Sequence, residues 1–190
     1  MIKVDEGTLA IVTGAAKGNG KAIADIIEEA GARVIRVDLL KCNKDEDSFI
    51  GEITNDGLIK NVVDYCSKQN YKTLVLINNA GVTFPNDYPY PKSDWDNTIA
   101  VNLSAPFKWI EAFIPLFKEV KNASIINITS LGAELAFPNN PAYIASKGGL
   151  KMLTKFYAKS LGGYGVRVNN VGPGYIVTDM TKGSYANQVT

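Results

Sequence analysis

Thr8-Leu-Ala-Ile-Val-Thr-Gly-Ala-Ala-Lys-Gly-Asn-Gly-Lys-Ala-Ile-Ala-Asp-Ile-Ile-Glu-Glu-Ala30 decides the fold of this 190-residue chain. Its first six residues are an apolar, β-branched run that ends at a glycine, as a buried strand does. Its last ten place Ile23, Ile26, Ile27 and Ala30 on one helical face. Between them lie Gly14, Lys17, Gly18, Asn19 and Gly20. Glycines here allow positive φ and let a ligand approach the backbone closely. The helix start adds free N–H groups and the positive end of a dipole, a setting that suits a pyrophosphate.

The next unit agrees. Gly31-Ala-Arg-Val-Ile-Arg-Val37 reads as a second strand and runs into Asp38, eighteen residues after Gly20. An acid at that place is where adenosine ribose hydroxyls are held. A carboxylate there repels a 2′-phosphate, so NAD is expected over NADP. Lys17 pulls the other way, because a basic loop residue can pair with that phosphate.

Further strands are expected at Phe49–Ile53, Thr73–Ile77, Ser124–Ile128 and Val166–Asn170. Helices are expected over Asp56–Lys68, Asp94–Phe117 and Pro141–Leu161, the second of these interrupted at Pro106 and Pro115. Alternation of strands and helices predicts α/β architecture: one domain over residues 1–190, a doubly wound parallel sheet with helices on both faces. In such sheets ligands bind at the C-terminal strand ends. Gly14, Asp38, Asn78, Ser130 and Pro173 all fall there.

Hydrophobic residues are 46% and charged residues 21% of the chain, as in a soluble globular domain. A net charge of +1 argues against nucleic-acid and acidic-membrane partners. No stretch is long and apolar enough to span a bilayer, and cytoplasmic residence is expected. Two cysteines, Cys42 and Cys66, without any histidine give neither a disulfide framework nor a metal site. The missing histidine also removes Ser-His and Cys-His nucleophile schemes.

Acid–base chemistry must therefore come from elsewhere. Tyr143 and Lys147 are four residues apart on the last helix, so phenol and ammonium share a face. A phenol titrates near pH ~10 when unperturbed, and a nearby cation lowers that value. The pair is a tunable proton carrier.

Thr13-Gly-x-x-x-Gly-x-Gly20, Asn78-Asn-Ala-Gly81, Asn102, Ser130, Tyr143-x-x-x-Lys147 and Pro173-Gly174 together resemble the short-chain dehydrogenase/reductase family in order and spacing. Asn19 stands where that family usually has an aliphatic residue. The resemblance implies a Rossmann-type fold and an oxidoreductase that moves a hydride between a nicotinamide cofactor and a secondary alcohol or carbonyl. It gives Tyr143 the proton transfer, Lys147 the tuning of that phenol and the nicotinamide ribose, and Ser130 a hydrogen bond to the substrate oxygen. Asn102 would hold a water linking Lys147 to solvent. Glu52 and Ile53 would lie beside adenine, and Asn79, Ala80 and Gly81 along the adenosine side. Pro173, Gly174, Ile176 and Thr178 would pack on the nicotinamide, whereas Asn78 would tie strands together.

Two alternatives stay open: an NADP-dependent 3-oxoacyl-carrier-protein reductase type, and a dinucleotide-binding regulatory subunit without turnover. Tyr88, Tyr90, Glu134, Phe137 and Asn139 are candidates to line the substrate site, a mixture that would suit a sugar or polyol. The apolar residues of 97–117, with the last helix, predict a homodimer or homotetramer. Family members usually continue beyond Thr178-Asp179-Met180 through a substrate-covering helix and a last strand, so a longer functional protein with a mobile lid is expected.

Overall fold

The computed structural model describes residues 3–42 and 47–178. Six strands form one sheet: β1 (Thr8–Thr13), β2 (Arg33–Asp38), β3 (Ser48–Ile50), β4 (Thr73–Asn78), β5 (Asn122–Ile128) and β6 (Val166–Val171). All are parallel, in the order β3-β2-β1-β4-β5-β6. The helices are α1 (Gly18–Glu29), α2 (Asp56–Cys66), α3 (Lys92–Ile99), α4 (Ala105–Glu119) and α5 (Pro141–Leu161).

Strands buried on both faces read as continuous apolar runs, and β1 is buried at all six residues. Its side chains alternate between two cores. Leu9 and Ile11 join Leu74, Leu76 and Ile125 under α2, α4 and α5, where Trp109, Phe113, Phe117 and Tyr157 fill the layer. Ala10 and Val12 join Val34 and Ile77 under α1, with Ala24 at the contact. Helices thus lie on both faces, but unequally. Among the described residues, α1 alone covers the second face, over β1 and β2.

Some boundaries differ from expectation. The strand expected to reach Ile53 stops at Ile50, because Ile53 turns inward and Asn55 caps α2 by accepting the Leu58 N–H at 3.0 Å. The break before Pro106 is a π turn, Ala100–Ser104, with Pro106 in the first turn of α4, where a missing N–H costs nothing. Pro115 lies inside α4. The last strand alternates at its start: Val166 and Val168 are buried, but Arg167, Asn169 and Asn170 are exposed. The expected lid, and the run beyond Thr178, lie outside the described residues.

Candidate active site

Strand order reverses between β1 and β4, which opens a crevice at their C-terminal ends. The glycine loop fills the β1 side of it. Gly14 has φ +68, and a Cβ there would stand 2.8 Å from the Ala80 Cα. At Gly20 a Cβ would stand 2.0 Å from the Gly14 carbonyl oxygen. Both positions are held to glycine by backbone packed against backbone. Lys17 caps α1 but brings no side-chain acceptor. The first-turn N–H groups at Gly18, Asn19 and Gly20 therefore remain available to an anion. This cradle of first-turn N–H groups fits a dinucleotide pyrophosphate.

Asp38 is half-buried at the end of β2. One carboxylate oxygen accepts the Ala16 N–H at 2.9 Å and the other the Leu40 N–H at 3.0 Å. Asn79 donates from its amide to the Thr13 and Gly14 carbonyls, at 2.9 and 3.2 Å. The Thr13 hydroxyl accepts the N–H groups of Asn79 and Ala80. Glu52 is exposed, while Ile53 is buried and its carbonyl accepts the Trp109 indole N–H at 2.9 Å. Asn78 does tie strands, donating to Asn127 at 2.9 Å. The segment after β6 returns over the loop: a Cβ on Gly18 would lie 3.6 Å from the Thr178 methyl. Pro173 accepts the Leu131 N–H at 3.0 Å, and Gly174 and Ile176 are exposed.

On the β5 side, Ser130 caps the 3-10 turn Leu131–Ala133, its hydroxyl oxygen accepting the Gly132 N–H at 3.0 Å. Its proton remains free to donate. Tyr143 is held above the ordinary tyrosine range by burial, with a hydrogen bond to Ser130 pulling the other way. The expected depression of this phenol by Lys147 is not found. Lys147 is 4% exposed and donates to the Ile128 carbonyl at 2.8 Å, with its Nζ 5.8 Å from the Tyr143 ring centre. Burial draws the Lys147 ammonium down to about 8.

Asn102 is fully buried in the π turn. Its side chain accepts the Val82 N–H at 2.8 Å and donates to the Val82 carbonyl at 2.9 Å and to Ser146 at 3.2 Å. Both N–H groups of that amide are thus engaged, and it has no donor left for a water. Gly81 lies beside both groups: a Cβ there would stand 3.2 Å from the Asn102 oxygen and 3.5 Å from Lys147 Nζ. Sequence reasoning missed Ser146, a buried hydroxyl that also donates to the Tyr143 carbonyl at 2.7 Å. Its place inside the Tyr143–Lys147 turn was the available signal.

The candidate substrate residues lie in the loop before α3 and in the segment between β5 and α5, and their polar groups have partners outside the set. Tyr90 donates to the Phe84 carbonyl at 2.7 Å, and Asn139 to Asp87 at 3.1 Å. Glu134 pairs with Lys151. Tyr88 is exposed, and Phe137 is half-buried. Each of these three polar groups is thus tied to a neighbouring loop or helix. No described helix is long and apolar enough to cross a membrane.

The short chain dehydrogenase family profile matches residues 8–189. The chain is 36% identical over 190 residues to a 3-oxoacyl-(acyl-carrier-protein) reductase of Thermotoga maritima, covering 93% of this chain and 77% of that one. It is 34% identical over 194 residues to the trans-4-hydroxycyclohexanecarboxylate dehydrogenase of Sinomonas cyclohexanicum, covering 92% and 74%. Among solved structures, Thermoplasma acidophilum aldohexose dehydrogenase superposes with a TM-score of 0.87 at 28% identity, over 97% of this chain and 72% of that one. A Beutenbergia cavernae protein described as an NAD(P)-dependent gluconate 5-dehydrogenase, solved with NADP at low occupancy, gives 0.88 at 28% identity, over 96% and 78%.

Proposed function

The chain belongs to the short-chain dehydrogenase family, and from that premise we propose that it interconverts a secondary alcohol and a carbonyl with Tyr143 as the proton carrier. The observation that carries the assignment is the pairing of two hydroxyls. Ser130 accepts the Gly132 N–H at 3.0 Å, which leaves its own O–H to donate beside the Tyr143 phenol. A carbonyl oxygen between them receives one hydrogen bond from Ser130 and a proton from Tyr143. The raised phenol is in its acid form at neutral pH, as reduction of a carbonyl requires. A nicotinamide bound in the groove supplies or accepts the hydride. Lys147, anchored on Ile128 beside Gly81, holds positive charge next to the ribose position. Ser146 and Asn102 fix the turn that carries both residues.

The dinucleotide preferred in this reading is NAD. Asp38 is fastened by two backbone amides with its carboxylate beside the loop. NADP is the rival, supported by exposed Lys17 and by the NADP-bearing relative. Titration of both decides it: tighter binding of NADP removes the Asp38 argument. The test of the enzyme reading is NADH- and NADPH-coupled screening of alcohols and ketones, with Tyr143→Phe as the control.

Self-association belongs to the same proposal. Leu103, Phe107, Met152, Leu153 and Phe156 line an apolar groove of about 570 Å³ between α4 and α5, with Phe107, Met152 and Phe156 exposed. A two-fold contact of this face with a second copy would cover it, giving a homodimer or homotetramer. Light scattering at micromolar concentration is expected to show the oligomer, and Phe156→Asp to shift it toward monomer. Residence in the cytoplasm is supported by two buried, unpaired cysteines.

A further inference from the structure

Phe137 occupies a position that no proton-transfer role explains. It lies seven residues after Ser130 and six before Tyr143. Between the two rings sits Gly132. A Cβ on Gly132 would be 3.0 Å from Phe137 Cε2 and 3.4 Å from Tyr143 Cε1. One methyl group would span the gap between them. On its other side Phe137 meets Tyr175, ring centres 6.2 Å apart and tilted by 55°. Tyr175 follows β6 in a segment fastened by the Leu131 N–H on the Pro173 carbonyl. Just beyond Phe137, Asn139 is pinned twice to the facing loop, accepting the Asn86 N–H at 2.8 Å and donating to Asp87 at 3.1 Å. The ring is wedged between a neighbouring aromatic, a glycine and a fastened loop, so it cannot swing aside freely.

We propose that Phe137 is the specificity-determining wall of the substrate cleft, limiting the carbonyl substituent beside Tyr143 to a small group. The site then takes ketones with one short flank, a methyl or hydroxymethyl, and rejects ketones extended on both sides. This rests on Tyr143 being the proton carrier. Differences of one methylene against such a wall amount to about 10–200-fold in kcat/KM.

A pair of constitutional isomers isolates the effect: 2-octanone has a methyl flank, and 4-octanone a propyl flank, at equal composition. With the full chain and saturating reduced cofactor, the wild type is expected to prefer 2-octanone by about tenfold or more. Phe137→Ala is expected to raise 4-octanone relative to 2-octanone by at least about tenfold, with dinucleotide affinity unchanged. Phe137→Leu, closer in volume, is expected to fall between and guards against a folding defect. An isomer ratio that stays constant while both rates fall overturns the proposal, as does a wild type indifferent to the isomers. Turnover of neither isomer by any of the three proteins overturns it too, since a methyl-flanked ketone is what the wall admits. Failure of the underlying reading is seen separately, as a Tyr143→Phe variant that keeps wild-type turnover.

Discussion

The two halves of the strand-end edge are fastened in opposite ways. Around β1 and β2, side chains grip the main chain: Asp38 holds the Ala16 and Leu40 amides, and Asn79 holds the Thr13 and Gly14 carbonyls. Around β5 and α5, side chains also grip one another, as in Asn139 with Asp87, Asn140 with Thr83 and Phe137 with Tyr175. A main-chain frame keeps its shape whatever its neighbours are. A mesh of side chains changes shape with every substitution. In the function proposed above, the first arrangement would serve a ligand that is always the same, and the second a ligand whose shape is selected.

The largest break in that comparison is expected at the reacting centre. Tyr143→Phe removes the proton carrier and keeps the ring, so turnover is expected to fall about 10²–10⁴-fold while NADH binding, followed by fluorescence, stays near wild type. Activity within a few fold of wild type removes Tyr143 from the chemistry. Gly20→Ala strikes the other half. Its methyl would meet the Gly14 carbonyl oxygen at 2.0 Å, so the loop or α1 must move. Dinucleotide affinity is expected to drop about tenfold or more, with about 1–3 kcal/mol lost in urea unfolding. An unchanged dissociation constant means that the frame is not a rigid one.

Lys147 sharpens the comparison through pH. Its folded value lies near 8 against an ordinary 10.5, so burying the ammonium costs stability throughout the range below 8. As pH rises from about 8 toward 10.5, the unfolded chain holds the proton that the folded one has released, and stability rises. Relative to Lys147→Met, the wild type is expected to gain about 2 kcal/mol between pH 7 and 9.5. Tyr143, raised by burial, works in the opposite sense above the ordinary tyrosine range, so the comparison stops short of it. A flat difference across that window shows that the ammonium is hydrated. The smallest effect is expected at Asp38→Ala. Relief of repulsion should narrow the NAD-to-NADP affinity ratio within about tenfold, while loss of the Ala16 contact weakens both. A widened ratio would transfer the choice to Lys17.

Legibility followed the same division. The run from Thr8 to Ala30 and the acid at Asp38 were readable because glycine geometry and strand–helix alternation are local. Tyr143 and Lys147 were readable as a helical pair, and α5 runs over the expected residues. Their titration was not readable, because it depends on how deeply the folded chain buries both groups. The π turn was likewise hidden: Asn102 within it bonds Val82, twenty residues earlier. The engagement of Tyr90 and Asn139 by loop partners depends on long-range placement that no short spacing encodes.

That turn makes the length of the chain part of the site. Between Ile99 and Ala105 the backbone carries a wider coil than the helices on either side. On an α-helix one residue corresponds to about 100° of rotation. The π turn therefore sets the phase of α3 against α4, as a shim sets two shafts. Asn102 faces Val82 and Ser146 while Trp109, one helix on, faces the Ile53 carbonyl. Both ends of the crevice are thus indexed to one axle, and a residue more or fewer in that turn would put them out of step even if every side chain were kept.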